Sequence, residues 1–217
     1  EIALRHLLDL QTPDGGWGWF KGMYPSQELT LYILKGMSQL TELNAVEYDQ
    51  QEKEMQIKAL KFVDKQIQSD YESLQKSKNW QKNEISPLEI ESLFVRSHYR
   101  DIPELSSARE AIRYYTNLAE KQWNKQSIHR KGEIAWLMWR NGKKEIAGKI
   151  ITWLRKTAST SPDKGMYWAN NRRGAGTFTS PIDTHCLLMA FFNEVSPDKQ
   201  ETDRMKQWLL SQKQTQN

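Results

Sequence analysis

Asp183, His185 and Cys186 lie within four residues of one another, and their side chains are common zinc ligands. On a helix Asp183 and Cys186 share a face, while His185 points about 100° from Cys186. The spacing therefore fits a capping acid, a partly buried histidine and a core cysteine better than a metal set. No metal and no cofactor is expected. A second chemistry, glycoside hydrolysis, needs two carboxylates facing each other across a cleft. Asp14, Glu28, Glu89 and Asp183 are the set that helix ends would bring to one rim. Glu89 and Asp183 have capping roles, however, and Glu28 sits in a first helical turn where the dipole favours an anion. His6, His98 and His129 have no serine or cysteine partner in a recognisable arrangement and read as surface or boundary residues. The chain is not expected to be an enzyme.

Two loops carry aromatics instead. Trp17, Trp19, Phe20 and Tyr24 follow Gly15-Gly16, and Tyr167-Trp168 follow Gly165. Rigid amphipathic rings make platforms for a sugar or a peptide, so Trp17, Trp19, Tyr24, Tyr167 and Trp168 form the candidate partner-binding rim. The same rings also serve as wedges between helix ends. Trp17 and Trp168 are expected to be wedges, and Trp19 and Tyr24 fit either role.

The elements that hold these loops are helices. Apolar periodicity places them near residues 2–12, 26–43, 50–77, 86–100, 104–124, 127–140, 143–158, 180–194 and 198–215. Ser86-Pro87-Leu88-Glu89 and Ser180-Pro181-Ile182-Asp183 each put serine at the N-cap, proline at the first helical position and an acid at the third. Ser196-Pro197-Asp198 is a third such start. After each aromatic loop comes Ser-x-x-x-Thr and an apolar run, Ser26 to Thr30 and Ser180 to Thr184. Helix openings at Ser26, Ser86, near His129 and at Ser180 recur at the length of a helix pair, which predicts repeated helical hairpins. The more apolar helices, around Leu29–Leu40, Leu88–Val95, Ile134–Trp139 and Ile182–Phe192, should lie inside, and partners with one charged face outside. The predicted fold is all-α: one α/α toroid of helical hairpins over residues 1–217, incomplete, with further repeats expected on the C-terminal side.

Composition limits the function classes. The 217 residues carry a net charge of +4 with both signs intermixed, which argues against a nucleic-acid partner. Lys143-Lys144 and Arg172-Arg173 read as a helix start and a solvated loop. The longest apolar run, residues 186–192, is too short to span a bilayer, so no direct membrane insertion is expected. Cys186 is the single cysteine and has no disulfide partner within the chain. Glu1 falls inside an apolar helical pattern, and the ending predicts a fragment of a larger multidomain chain.

Gln11-x-x-x-Gly15-x-Trp17 resembles the repeat shared by terpenoid cyclases and other α/α toroids. The whole motif order, from Leu7-Leu8-x-Leu10-Gln11 through Asp14-Gly15-Gly16-Trp17-Gly18-Trp19 and Glu28-Leu29-Thr30 to Tyr167-Trp168, Ser180-Pro181-Ile182-Asp183-Thr184 and Trp208-Leu209-Leu210-Ser211-Gln212, resembles the thioester-domain region of bacterial α2-macroglobulins. Those proteins are relatives of the complement thioester proteins. The resemblance implies a protease-inhibiting machine, periplasmic or otherwise at the cell envelope or secreted, whose partners are proteases and the other domains of its own chain. The family's reactive bond joins a cysteine to a glutamine three residues later, in Cys-x-Glu-Gln. This sequence departs from that pattern: Cys186 is followed by Leu187, Leu188 and Met189, and the loop Trp80–Ser86 lacks the histidine some members use in acyl transfer.

Overall fold

The computed structural model describes residues 2–78, 80–171 and 179–214. The described residues are mostly helical, with nine α-helices and one small two-stranded sheet. The Arg172-Arg173 pair lies outside them. No helix among them is long and apolar enough to cross a membrane. The chain forms two compact units, residues 1–118 and 119–217.

The first unit holds α1 (Ile2–Leu10), α2 (Gln27–Glu42), α3 (Gln50–Gln75), α4 (Pro87–Arg96) and most of α5 (Arg109–Gln122). Each start obeys local chemistry. Ser26 caps α2 through the Leu29 amide, while Asp49 with Glu52 and Ser86 with Glu89 form reciprocal capping boxes on α3 and α4. Proline follows Ser86, as the sequence predicts. Met55, Ala59, Val63, Ile67 and Tyr71 make a stripe at four-residue spacing down α3 that is buried throughout. With Leu31, Leu34, Ile90, Phe94 and Tyr115 it forms the core of this unit. Of the charged residues expected on the outer face of α3, Lys53, Glu54, Lys58, Lys61 and Lys65 are exposed and Glu52 is half-buried, but Asp64 is buried.

The loop between α4 and α5 is organised by one buried ion pair. Arg96 Nε donates to Asp64 Oδ1 at 3.1 Å, with the two side chains only 5% and 1% exposed. The remaining guanidinium donors reach the carbonyls of Tyr99 (2.9 Å) and Ile102 (2.7 Å), and Asp64 Oδ2 accepts from the Leu105 amide at 2.9 Å. This network explains two departures from the sequence-based boundaries. α4 stops at Arg96 rather than near residue 100, because the carbonyls beyond it turn toward the guanidinium. α5 starts at Arg109 rather than 104, after a 3-10 turn at Ser106–Ala108, because Leu105 is held by Asp64.

The second unit holds α6 (Ile128–Arg140), α7 (Lys144–Thr157), β1 (Ser159–Ser161), β2 (Gly165–Tyr167), α8 (Pro181–Val195) and α9 (Lys199–Gln214). The antiparallel hairpin pairs Ser159 with Tyr167 and Ser161 with Gly165. It was not among the predicted elements, since three-residue strands give no periodic signal. α6 packs on α7 and α8, and α9 packs on β2 and α8. Every residue of α6 from His129 to Met138 is buried, which agrees with its expected inner position but encloses four ionisable side chains.

Removing one member of the Arg96–Asp64 pair strands the other charge without its partner. Asp64→Ala should cost about 3–5 kcal/mol in urea unfolding, against about 0.5 kcal/mol for a control substitution at the exposed Lys65.

Candidate functional site

The two aromatic loops close in the same way. In the first, the Trp17 indole N–H donates to the Leu7 carbonyl of α1 at 2.8 Å, and the ring is 1% exposed. In the second, the Trp168 indole N–H donates to the Leu154 carbonyl of α7 at 2.9 Å, and the ring is 4% exposed. Carbonyls in a helix's last turn lack intrahelical backbone donors, so each indole supplies one while filling the gap beneath it, and Leu154 O also accepts from the Thr157 hydroxyl at 3.2 Å. Both tryptophans are therefore the wedges expected of them.

The glycine before each tryptophan is required by backbone approach. Gly15 (φ +97°) and Gly165 (φ +68°) have left-handed conformations, and a β-carbon on either would run into a helix carbonyl, Lys58 O of α3 and Arg204 O of α9 respectively. Gln11 completes the first closure. Its side-chain amide donates to Gly15 O and to Met55 O of α3, both at 2.8 Å. After each loop the capping serine is followed by a buried threonine whose hydroxyl donates back to the serine carbonyl, Thr30 to Ser26 at 2.8 Å and Thr184 to Ser180 at 3.1 Å. Thr30 Oγ1 also accepts the Trp17 amide at 3.0 Å, whereas Thr184 Oγ1 meets His129 Nδ1 of α6 at 3.0 Å. Leu7, Gly15, Trp17, Ser26, Thr30 and Lys58 thus correspond to Leu154, Gly165, Trp168, Ser180, Thr184 and Arg204.

The other rim residues differ from the wedges. Between Trp17 and Ser26 the chain makes a short excursion on which Trp19 (48%), Phe20 (76%), Met23 (49%) and Tyr24 (94%) are exposed. Its ends are tied by the Ser26 amide donating to Trp17 O at 2.8 Å, and its tip by the Met23 amide donating to Phe20 O at 3.1 Å. Lys21 is its one charged residue. Tyr167 is half-buried and stacks on Trp208 of α9, with ring centroids 6.4 Å apart and planes 12° from parallel. The surface left for a partner in the first unit is therefore Trp19 and Tyr24 with Phe20 and Met23. Met23 escaped sequence reasoning, since its exposure depends on the turn that Gly22 (φ +87°) makes.

The carboxylates occupy structural positions. Glu89 accepts the Ser86 amide at 2.6 Å, and Asp183 accepts the Ser180 amide at 2.9 Å. Burial pushes the Glu89 carboxyl above its ordinary range, against the Ser86 and Tyr115 hydrogen bonds that lower it. Burial likewise raises Asp70, whose charge acts on Glu89. Asp14 and Glu28 are exposed.

Three expectations need correction. Cys186 is exposed rather than in the core, because α8 buries Thr184, His185, Leu187, Leu188, Phe191 and Phe192 and position 186 falls outside that face. The corresponding α2 residue, Tyr32, is exposed as well. His129 is buried rather than at the surface or boundary, whereas His98 is a boundary residue, as expected. The His98 ring is 3% exposed and pairs with Glu42 at 2.8 Å. His129 lies between Thr184 and the fully buried Glu133, which also receives Arg130 Nη1 at 2.6 Å. His6 is exposed, as expected. His185 is fully buried rather than partly so. Among the described residues, no three His, Cys, Asp or Glu side chains gather as a metal set.

The geometry separates closing residues from presenting residues. Trp17→Phe keeps most of the volume but leaves Leu7 O without its donor, so thermal unfolding should show a loss of about 1–3 kcal/mol. Tyr24→Ala should stay within about 0.5 kcal/mol of the parent.

Searches against protein-family models and against curated proteins find no match for this chain.

Proposed function

We propose that this chain is a non-catalytic, thioester-domain-like module of a bacterial α2-macroglobulin-type protease inhibitor, built as part of an α/α toroid. The observation that carries the reading is the pair of matching closures. Two loops at the motif positions of that family each tie an indole to a carbonyl of the preceding helix and press a glycine against the backbone of the second helix after the loop, α3 or α9. A helical hairpin closed in this manner is the repeating unit of an α/α toroid, and the predominantly helical fold is compatible with it. The parent protein acts at the cell envelope or outside the cell, with proteases and its own neighbouring domains as partners.

Chemistry within this chain fits a scaffold. Cys186 is followed three residues later by Met189, so no acyl group lies at the spacing a Cys-Gln thioester needs. Methylamine treatment of the chain should leave its mass unchanged and its single thiol count constant, read by intact mass and a thiol titration. For the parent protein, a mass gain with one new thiol identifies a covalent trap whose reactive bond lies elsewhere. No mass gain, with a protease slowed on large but not on small substrates, identifies a steric one. A protease equally active on both substrates in the presence of the parent protein overturns the inhibitor reading.

One observation favours a second reading, that of a carbohydrate- or peptide-binding module. Four large apolar side chains stand exposed on the excursion that follows Trp17. If this surface binds a sugar or peptide, Trp19→Ala and Tyr24→Ala should each weaken binding at least tenfold in calorimetry without changing the melting temperature. A carbohydrate-active enzyme would instead lose turnover on Asp14→Ala, Glu28→Ala or Asp183→Ala.

A further inference from the structure

His185 is a polar residue in a position that the sister repeat fills with an aliphatic one. Counted from the capping serines Ser26 and Ser180, it corresponds to Leu31, and both are buried, Leu31 completely and His185 to 1%. Its ring sits in an aromatic box. Trp208 of α9 lies 4.4 Å away between centroids, inclined at 32°, and Trp168 beyond β2 meets it edge-on at 5.8 Å. The Nε2–H donates to the Met205 carbonyl of α9 at 3.0 Å. Nδ1 is buried and has no hydrogen-bond partner among the described residues. This arrangement holds the neutral imidazole, with its one proton given to α9.

Apart from the close backbone approach at Gly165, α9 is held by few buried side chains. Met205 is its one buried residue among those described, and Trp208 and Leu209 are half-buried. Arg155 of α7 pairs with Glu201 at 2.7 Å and also donates to the Ser196 carbonyl, while Gln207 donates to the Pro162 carbonyl. A helix held by so few buried groups belongs to the part of a fold that opens first.

We propose that His185 is an acid-sensitive latch for α9: a second proton on its imidazole, placed on Nδ1, finds no acceptor in the aromatic box and releases α9 from α8 and the β-hairpin. The buried ionisable groups of the helices behind α8 are engaged elsewhere, His129 and Arg130 of α6 with Glu133 and Arg155 of α7 with Glu201. α9 presents Met205 and Trp208 to the ring, and the hairpin side presents Trp168. Asp203, Arg204 and Lys206 of α9, Asp163 and Lys164 of the hairpin turn, and Asp183 of α8 are all exposed. Burial pushes the imidazole down to about 4, with the Met205 hydrogen bond pulling weakly the other way. In the open state the ring returns to the ordinary value near 6.5. The open state therefore binds protons more readily, and opening grows as pH falls from about 6.5 to about 4, levelling off on either side.

The test is amide hydrogen exchange of α9 as a function of pH, corrected for the intrinsic exchange rate, in the wild-type chain and in His185→Leu. Leucine is the residue the sister repeat uses. In the wild type the opening constant of α9 should be about 30-fold larger at pH 5 than at pH 7.5. In His185→Leu it should be nearly flat over that range, with the Arg155–Glu201 pair still present. The same acid rise in both proteins, or no rise in the wild type, overturns the latch. If the variant does not fold, imidazole NMR of the wild type decides. A His185 midpoint near 4 that tracks loss of α9 protection supports the latch, and a midpoint near 6.5 with α9 protected throughout overturns it.

Discussion

The indole N–H of a tryptophan, given to a carbonyl in the last turns of the helix before it, is the contact on which the rest of each hairpin depends. A helix that ends inside a protein leaves carbonyls that water no longer reaches, and an unpaired one costs about 1–3 kcal/mol. Trp17 and Trp168 meet that need with a donor at the tip of the largest side chain available. The ring's size then sets how far apart the flanking helices stand. Its direction sets where the chain leaves the loop, and so where Ser26 and Ser180 begin the next helix. The helix after that one, α3 in the first unit and α9 in the second, comes so close to the loop backbone that only glycine fits at positions 15 and 165.

What the sequence revealed and what it hid divide along the range of the interactions. Ser86-Pro87-x-Glu89 and Ser180-Pro181-x-Asp183 are complete within four residues, and the capping boxes form where those residues stand. Gly15 and Trp17 were likewise legible, because a glycine turn followed by a large ring has few uses. The ends of α4 and the start of α5 were not, because they are set by Asp64, thirty-two residues before Arg96 in the chain. Cys186 and His185 are neighbours, yet one is exposed and the other enclosed. A one-residue step on a helix turns the side chain through about 100°, so that choice rests on which neighbour arrives from α9. Trp19 and Trp17 show the same limit within a loop.

Ionisable side chains occupy the interior of both units in different ways. In the first, Arg96 and Asp64 satisfy one another and three backbone groups, which fixes a loop that has no helix or strand of its own. In the second, the first two turns of α6 are buried although they read His129-Arg130-Lys131-Gly132-Glu133. Glu133 takes contacts from Arg130 and His129, and Lys131 turns its stem toward Trp153 and its amine over that ring, 4.6 Å from the centroid. Gly132 lets the Leu187 and Leu188 side chains of α8 lie directly on the α6 backbone, since a β-carbon there would overlap them. These side chains are tolerated on an inner helix because His129 and Arg130 meet Glu133 within one turn and Lys131 reaches the Gln126 carbonyl and the Trp153 ring, leaving the glycine face for close packing.

The bridge from the Ser26 amide to the Trp17 carbonyl has an evolutionary meaning. It brings the two ends of the aromatic excursion into contact, so the segment between them is a closed handle on a finished frame. Lengthening a loop whose ends already meet adds only about 0.6 kcal/mol for each doubling of its length. Trp17, Gly15 and Ser26 are bound by the helices on either side, whereas Phe20, Lys21, Met23 and Tyr24 stand exposed on the handle. Selection can therefore rewrite or extend that handle for a new partner while the hairpin beneath keeps its shape, and related chains should differ most in length between these two anchored residues.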